Sequence, residues 1–431
     1  MTRQEPWQDK WIEATDLNWK REGGFATVTR VRRKGQHTEE TYALKRLKKT
    51  KDTERRRRMY REVVALETHP NPQTPGVIEH NCASYEDTSV PLYAVFEFIN
   101  GPTLEERVMM EGPLLLEDAL AMTERLLDTL ETFHEGRYGH RDIKPDNILL
   151  RNGHLTNPCL VDFGQTFNLD DTEDALTAAS EQVGNRFLWL PEHAPGSANK
   201  RDLRSDLTFC VGVFFFALTG IRPSSLLDDV RNLPHQRIAA RPVLEAIPEP
   251  RQTRIYQVFD RGFQYMLDQR WQSVPSLREA LTRVKETHAA MPSLEDQLAF
   301  ARERAALHNG SKAVLEAIDV VGKRLKVATE DAARRLGDGY RSSVEWRIPT
   351  VDAGEIWSWI RCGIDAYTAG KIINTRLRIV GVGSEVVVEE LFDLKPSDVR
   401  GRLPVSNPNA DPDFNETFVT LIVGNVVRGL S

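Results

Sequence analysis

The stretch HRDIKPDNILL, His140 to Leu150, places an acid, a cation and a neutral oxygen donor close together on one loop. Asp142 suits a carboxylate that orients an acceptor hydroxyl and takes its proton. Lys144 suits a cation that offsets negative charge developing on a phosphoryl group in transfer. Asn147 offers a side-chain oxygen to a metal. A short strand later comes VDFG, Val161 to Gly164. Asp162 there suits a ligand for magnesium bridging nucleotide phosphates, and Gly164 lets the backbone turn sharply.

Elements must bring these two loops together. To about Ala83 the chain reads as strands with one charged helix. TYALKRL, Thr41 to Leu47, is a short strand, and DTERRRRMYREVVALE, Asp52 to Glu67, is helical with apolar positions at Met59, Val63 and Leu66. PLYAVFEFINGPTL is a strand ending in a Gly-Pro break. From about Thr103 the pattern turns helical, interrupted by the strand pieces NILLRNG and PCLVDFG, and runs to about His288. FCVGVFFFALTG, Phe209 to Gly220, is apolar all round and reads as a buried central helix, too short for the roughly 20 residues of a bilayer span.

The combination H-R-D-x-K-P-x-N followed by D-F-G resembles the eukaryotic-type (Hanks-type) serine/threonine protein kinases, over roughly Leu17 to His288. The resemblance implies an α+β, bilobal kinase fold that uses ATP and Mg2+ and phosphorylates Ser/Thr hydroxyls of protein substrates. It assigns Asp142 as base, Lys144 as charge stabiliser, Lys45 in YALK as the α/β-phosphate clamp and Glu62 as that lysine's partner. It assigns Asn147 and Asp162 to metal. Ala43 would roof the adenine, Leu149 would form its floor, and Glu97 and Ile99 would be hinge residues beside the gatekeeper Phe96. Lys144 two residues after Asp142 is the family's mark of serine/threonine rather than tyrosine specificity.

The segment WKREGGFATVTRV, Trp19 to Val31, reads as the family's glycine-rich phosphate loop in altered form. Gly23 takes the central position, Gly24 adds freedom and Val28 follows at the usual spacing. Arg21 stands where the first glycine would be. The acidic segment after DFG reads as a solvated loop; the other reading is that Glu181, near the site of the family's activating phosphate, substitutes for it in part. Thr172, Thr177 and Ser180 are candidate autophosphorylation sites.

The division expected is an N-terminal extension (1–16), a kinase domain (17–288, lobes about 17–99 and 100–288), a helical linker (289–339) and a β-rich domain (340–431), regulatory or partner-binding. In the linker, Val314, Ile318, Val321, Leu325, Ala328 and Ala332 step like a coiled-coil seam, so residues 289–431 are a candidate for self-association or for a regulatory partner. The tail reads as strands through TFVTLIVGNVV, and IWSWI as alternation with its tryptophans in a core. Net charge is −6, which argues against nucleic acid as a partner and makes the run Arg55 to Arg58 a solvated helix face. The four cysteines form no close pair, so neither a disulfide framework nor a zinc site is expected, and a cytoplasmic chain without a membrane span fits. A nucleotide-binding pseudokinase scaffold is the alternative; it would be marked by loss of Lys45, Asp142 or Asp162, and all three are present. A role in stress or defence signalling is a further reading of the unassigned tail.

Overall fold

The computed structural model describes residues 5–430, apart from 16–18, 23–25, 37–38, 49, 172–185, 195–196, 198, 230, 287–293, 347–349, 353–354, 383 and 393–394. Two compact units emerge. One takes in residues 1–190, 201–263 and 270–290; the other takes in 191–200, 264–269 and 291–431.

The first unit opens with an antiparallel sheet. Its strands are β1 (Trp11–Glu13), β2 (Lys20–Glu22), β3 (Ala26–Arg33), β4 (Tyr42–Leu47), β5 (Val77–His80) and β6 (Tyr93–Glu97), in the order β1-β3-β4-β6-β5 with β2 on β3. β4 alternates. Leu44 joins Trp7, Trp11, Val31, Tyr93 and Val95 in a core cluster, which leaves Ala43 and Lys45 for the opposite face. Residues read from sequence as an extension thus supply β1 and two core tryptophans. The signal is apolar burial of Trp7 and Trp11, not strand length.

Helix α1 (Thr53–Thr68) starts at Asp52, whose side chain accepts from the Arg55 N–H. It packs on the turn Phe163–Gln165 and on the turn Cys82–Ser84. Of its arginine run, Arg55 and Arg58 pair with the neighbouring acids Asp52 and Glu54, but their side chains are largely buried rather than on the solvated helix face expected from sequence. Arg56 does not fit that reading: it is wholly buried.

Helices follow: α2 (Leu104–Glu111) and α3 (Leu116–Glu135), then short strands β7 (Tyr138–Gly139), β8 (Ile148–Leu150), β9 (Pro158–Leu160), β10 (Phe167–Asn168), β11 (Leu188–Trp189) and β12 (Ser224–Ser225). Helix α4 (Arg204–Thr219) lies among them and is buried from Ser205 to Thr219, as its unbroken apolar character requires. Helices α5 (Arg241–Glu245), α6 (Arg251–Gly262) and α7 (Val274–Lys285) complete the unit. Gly262 lets α6 approach α4; a Cβ there would sit 2.6 Å from Val211 Cγ1.

The second unit pairs two helices with a meander. Helix α8 (Leu294–Leu336) leads into β13 (Tyr340–Trp346), β14 (Thr350–Asp352), β15 (Glu355–Ala366), β16 (Lys371–Val382), β17 (Glu385–Phe392) and β18 (Lys395–Pro404). The order is β13-β15-β16-β17-β18, all antiparallel, with β14 on β15. Helix α9 (Phe414–Leu430) lies against α8, β16 and β18.

Here the sequence reading needs two corrections. TFVTLIVGNVV is helical: Phe414, Phe418, Ile422 and Val426 recur at helical spacing and are buried, which outweighs the β-branched composition. On β15 the buried face is Ser358, Ile360, Cys362 and Ile364, while Trp359 lies half-buried on the other face. The side chain of Trp357 falls outside the described residues. Of the seam, Ile318, Val321, Leu325, Ala328 and Ala332 are fully buried and Val314 is half-buried, and α8 packs on β13 and β15 of its own unit. That stripe is therefore spent inside the fold.

No helix among the described residues is long and apolar enough to cross a membrane. All four cysteines are free and buried. Burial pushes the thiols of Cys82, Cys159 and Cys210 up to about 12 and that of Cys362 up to about 11. The native chain is expected to take up no iodoacetamide at pH 8 over minutes, and all four sites are expected to react once guanidinium unfolds it. Mass spectrometry of the alkylated chain checks this; a singly labelled native species would contradict the packing around that cysteine.

Candidate active site

In the first unit one cleft of about 990 Å3 is lined by Val28, Ala43, Lys45, Glu62, Phe96, Glu97, Ile99, Asp142, Lys144, Asn147, Leu149 and Asp162. β3 and β4 carry its upper wall, α1 its back, and the loops around β8 and β9 its floor.

The alternation of β4 sends Lys45 into the cleft. Its Nζ lies 2.8 and 2.7 Å from the Glu62 carboxylate oxygens and 2.9 Å from Asp162 Oδ1. Burial penalises the ammonium, but the charges of Asp162 and Glu62 outweigh it and hold Lys45 protonated well above its ordinary range. The Lys45 charge pulls Asp162 down to about 2. Burial pushes Glu62 the other way, against the pull of Lys45. Asp162 sits in the left-handed region, at φ 63°, ψ 68°. Its neighbour Phe163 is wedged against Phe133 and His140, with ring centroids 4.8 and 4.5 Å away, and that anchoring holds the strained turn.

The catalytic-type loop hangs from α4. Asp206 Oδ2 accepts the His140 N–H at 2.7 Å and Oδ1 accepts the Arg141 N–H at 2.8 Å. These bonds fix the left-handed Arg141, at φ 65°, and so aim the next residue, Asp142. Lys144 Nζ donates to Asp142 Oδ2 at 2.8 Å. Asn147 Nδ2 donates to Asp142 O at 2.8 Å and to Oδ2 at 3.0 Å. Asp142 Oδ1 is buried and has no partner. Burial raises the Asp142 carboxyl, opposed by Lys144. A buried carboxylate that lines the cleft, with its loop held by three bonds from Lys144 and Asn147, has the chemistry of a general base.

Asn147 spends its amide N–H groups on Asp142, which leaves its carbonyl oxygen for a cation. Asp162 offers a half-exposed carboxylate on the same side. Two hard oxygens suit Mg2+, which takes one or two protein ligands and completes its shell with phosphates and water. Among the described residues no group of three or more His, Cys, Asp and Glu could hold a metal alone.

At the end of β6, the Glu97 side chain points to Arg151, with Nη2 to Oε2 at 2.9 Å, and the Glu97 backbone N–H donates to Gly76 O at 2.8 Å. Gly101 just beyond has φ 143°, and a Cβ there would lie 1.8 Å from Leu150 O, so only glycine lets the chain pass.

Gly23 and Gly24 lie outside the described residues, as do Thr172, Thr177, Ser180 and Glu181. Arg21 is placed: its Nη2 sits 3.1 and 3.2 Å from the Glu106 carboxylate across the cleft mouth. Glu106 also closes a capping box with Thr103 at the start of α2. Sequence reasoning passed over Glu106 and Arg222, which donates to Glu105 at 2.7 Å and also lines the cleft. The spacing T-x-x-E at Thr103 to Glu106 was the available signal for the first; Arg222 had none.

The family model for the protein kinase domain matches residues 22–288. A probable serine/threonine-protein kinase of Streptomyces coelicolor is 30% identical over 194 residues, 45% of this chain and 28% of that protein. Serine/threonine-protein kinase PrkC of Bacillus subtilis is 34% identical over 131 residues, 30% of this chain and 19% of PrkC. Serine/threonine-protein kinase PknB of Mycolicibacterium smegmatis is 28% identical over 221 residues, 50% of this chain and 34% of PknB. The matched segments thus span between 19% and 34% of these relatives' lengths.

Proposed function

Since the chain belongs to the protein kinase family, we propose that it is a serine/threonine protein kinase that transfers the γ-phosphoryl of ATP to protein hydroxyls. The observation that carries this reading is the convergence, in one cleft, of the Lys45–Glu62–Asp162 ion cluster with the Asp142–Lys144–Asn147 cluster. ATP enters between Val28 and Ala43 above and Leu149 below, with its base toward the hinge at Glu97 to Ile99. Lys45, held by Glu62, binds the α- and β-phosphates. The Asp142 carboxylate accepts a hydrogen bond from the acceptor hydroxyl, orients it in line with the γ-phosphorus and receives its proton as the new O–P bond forms, while the bond from the γ-phosphorus to the β–γ bridging oxygen breaks and ADP leaves with that electron pair. Lys144 offsets charge on the moving phosphoryl. Mg2+ held by Asp162 and Asn147 would neutralise the phosphate oxygens. Catalysis then rests on positioning and fixed charge, as phosphoryl transfer allows.

Serine/threonine choice follows from Lys144 beside Asp142 and from the names of the relatives. The test is transfer of labelled γ-phosphate from MgATP to a mixed peptide library, followed by acid hydrolysis. Label in phosphoserine and phosphothreonine is expected; label confined to phosphotyrosine would overturn the assignment. Autophosphorylation belongs to the same reading, with Thr172, Thr177 and Ser180 as its sites and Glu181 as a partial stand-in for phosphate. Residues 340–431, which fall in the second compact unit, are assigned a regulatory or partner-binding role.

A further inference from the structure

Arg56 is 0% exposed, and its partners are all main-chain carbonyls. Nε donates to Tyr85 O at 2.6 Å. Nη1 donates to Thr50 O at 2.9 Å and Val90 O at 2.8 Å. Nη2 donates to Ser84 O at 2.7 Å and Asp87 O at 2.6 Å. A guanidinium has five N–H donors in a planar fork, and each finds an acceptor here.

Four of those carbonyls belong to the connection between β5 and β6; the fifth, Thr50, lies just ahead of α1. Arg56 therefore fastens the first turns of α1 to the connection between β5 and β6. One turn on, Tyr60 stacks on Tyr85 of the same connection, with ring centroids 4.5 Å apart. Roughly two turns on from Arg56, the same rigid helix presents Glu62 to Lys45. Burying a cation without a carboxylate partner is costly, and an apolar residue would fill the site at lower cost. What the fork adds is direction. It fixes where the helix sits along and around its axis.

We propose that Arg56 is a positioning residue for phosphoryl transfer, setting α1 so that Glu62 holds Lys45 in register. The proposal rests on the kinase reading of the cleft. None of the five carbonyls that Arg56 holds belongs to a residue lining the cleft.

The test is a double-mutant cycle in the full chain. Arg56→Lys keeps the charge but offers three donors and no fork. It is expected to lower kcat about tenfold while KM for MgATP stays within about threefold. In a Glu62→Gln background the same change is expected to cost less than about twofold further, because the element it positions is gone. Arg56→Gln, which buries no charge, is the second variant and is read the same way if the lysine form does not fold. Equal losses of kcat in both backgrounds, or a lowered Tm with unchanged kcat, would overturn the proposal. Hydrogen exchange supplies a readout independent of turnover. Amides of α1 near Glu62 are expected to exchange faster in Arg56→Lys, and unchanged protection contradicts the assignment. If the unsubstituted chain transfers no phosphate, the kinase reading fails by itself, and the exchange data still decide the role of Arg56.

Discussion

Replacing Asp142 with Asn is expected to lower kcat about 1,000-fold, within the range set by loss of a positioned general base. The reason lies in which atoms the substitution changes. Lys144 and Asn147 bond to Oδ2 and to the main-chain carbonyl, so the loop has support that an amide in part preserves. The carboxylate itself loses its charge and becomes an amide that cannot take a proton. Asp206 still holds the His140 and Arg141 N–H groups, so the loop keeps its path. Affinity for MgATP is expected to stay within about threefold, because Asp142 makes no bond to Lys45, Glu62 or Asp162. Steady-state kinetics beside nucleotide titration checks both halves. A variant that loses binding along with turnover would mean that Asp142 supports the nucleotide site rather than the acceptor.

Lys45→Met is expected to lower kcat by about 100- to 1,000-fold, the scale of removing one preorganised charge from a transition state. Two effects act together. The phosphate clamp is lost, and the buried Glu62 is left without its counter-charge. Burial already pushes Glu62 upward, so it is expected to take up a proton in the variant. Asp162, held at about 2 by Lys45, is expected to rise toward the ordinary carboxylate range. Lys45→Arg is not expected to restore turnover, since the fork cannot place one point charge between two carboxylates 2.7 and 2.9 Å away. Turnover within about tenfold of the unsubstituted chain would place the phosphate clamp elsewhere.

The chemistry-bearing loops were legible in the sequence because several residue types must recur at fixed spacing, and tertiary context cannot substitute for them. HRDIKPDN and VDFG do lie on one cleft, with Lys45 and Glu62 from distant segments. Relations carried by burial alone were harder to see. Trp7 and Trp11 read as part of a polar extension until β1 pairs with β3. Arg56 is indistinguishable in sequence from the arginines beside it, since its selection depends on a carbonyl cage built largely by a segment far along the chain. The last helix was read as a strand because Val, Ile and Thr favour both a sheet and, at the right spacing, one helix face. The α8 seam was correctly apolar, but its partner is the unit's own sheet rather than a second seam.

On this reading the cleft moves a phosphoryl group rather than only holding a nucleotide. One preparation of the full chain tests it, with MgATP binding and γ-label transfer to itself and to a serine/threonine peptide library measured side by side. The expected result is binding accompanied by label on hydroxyls, with transfer lost in Asp142→Asn while binding persists. Nucleotide bound with no label moved to any hydroxyl, or label moved equally by Asp142→Asn, would contradict the account.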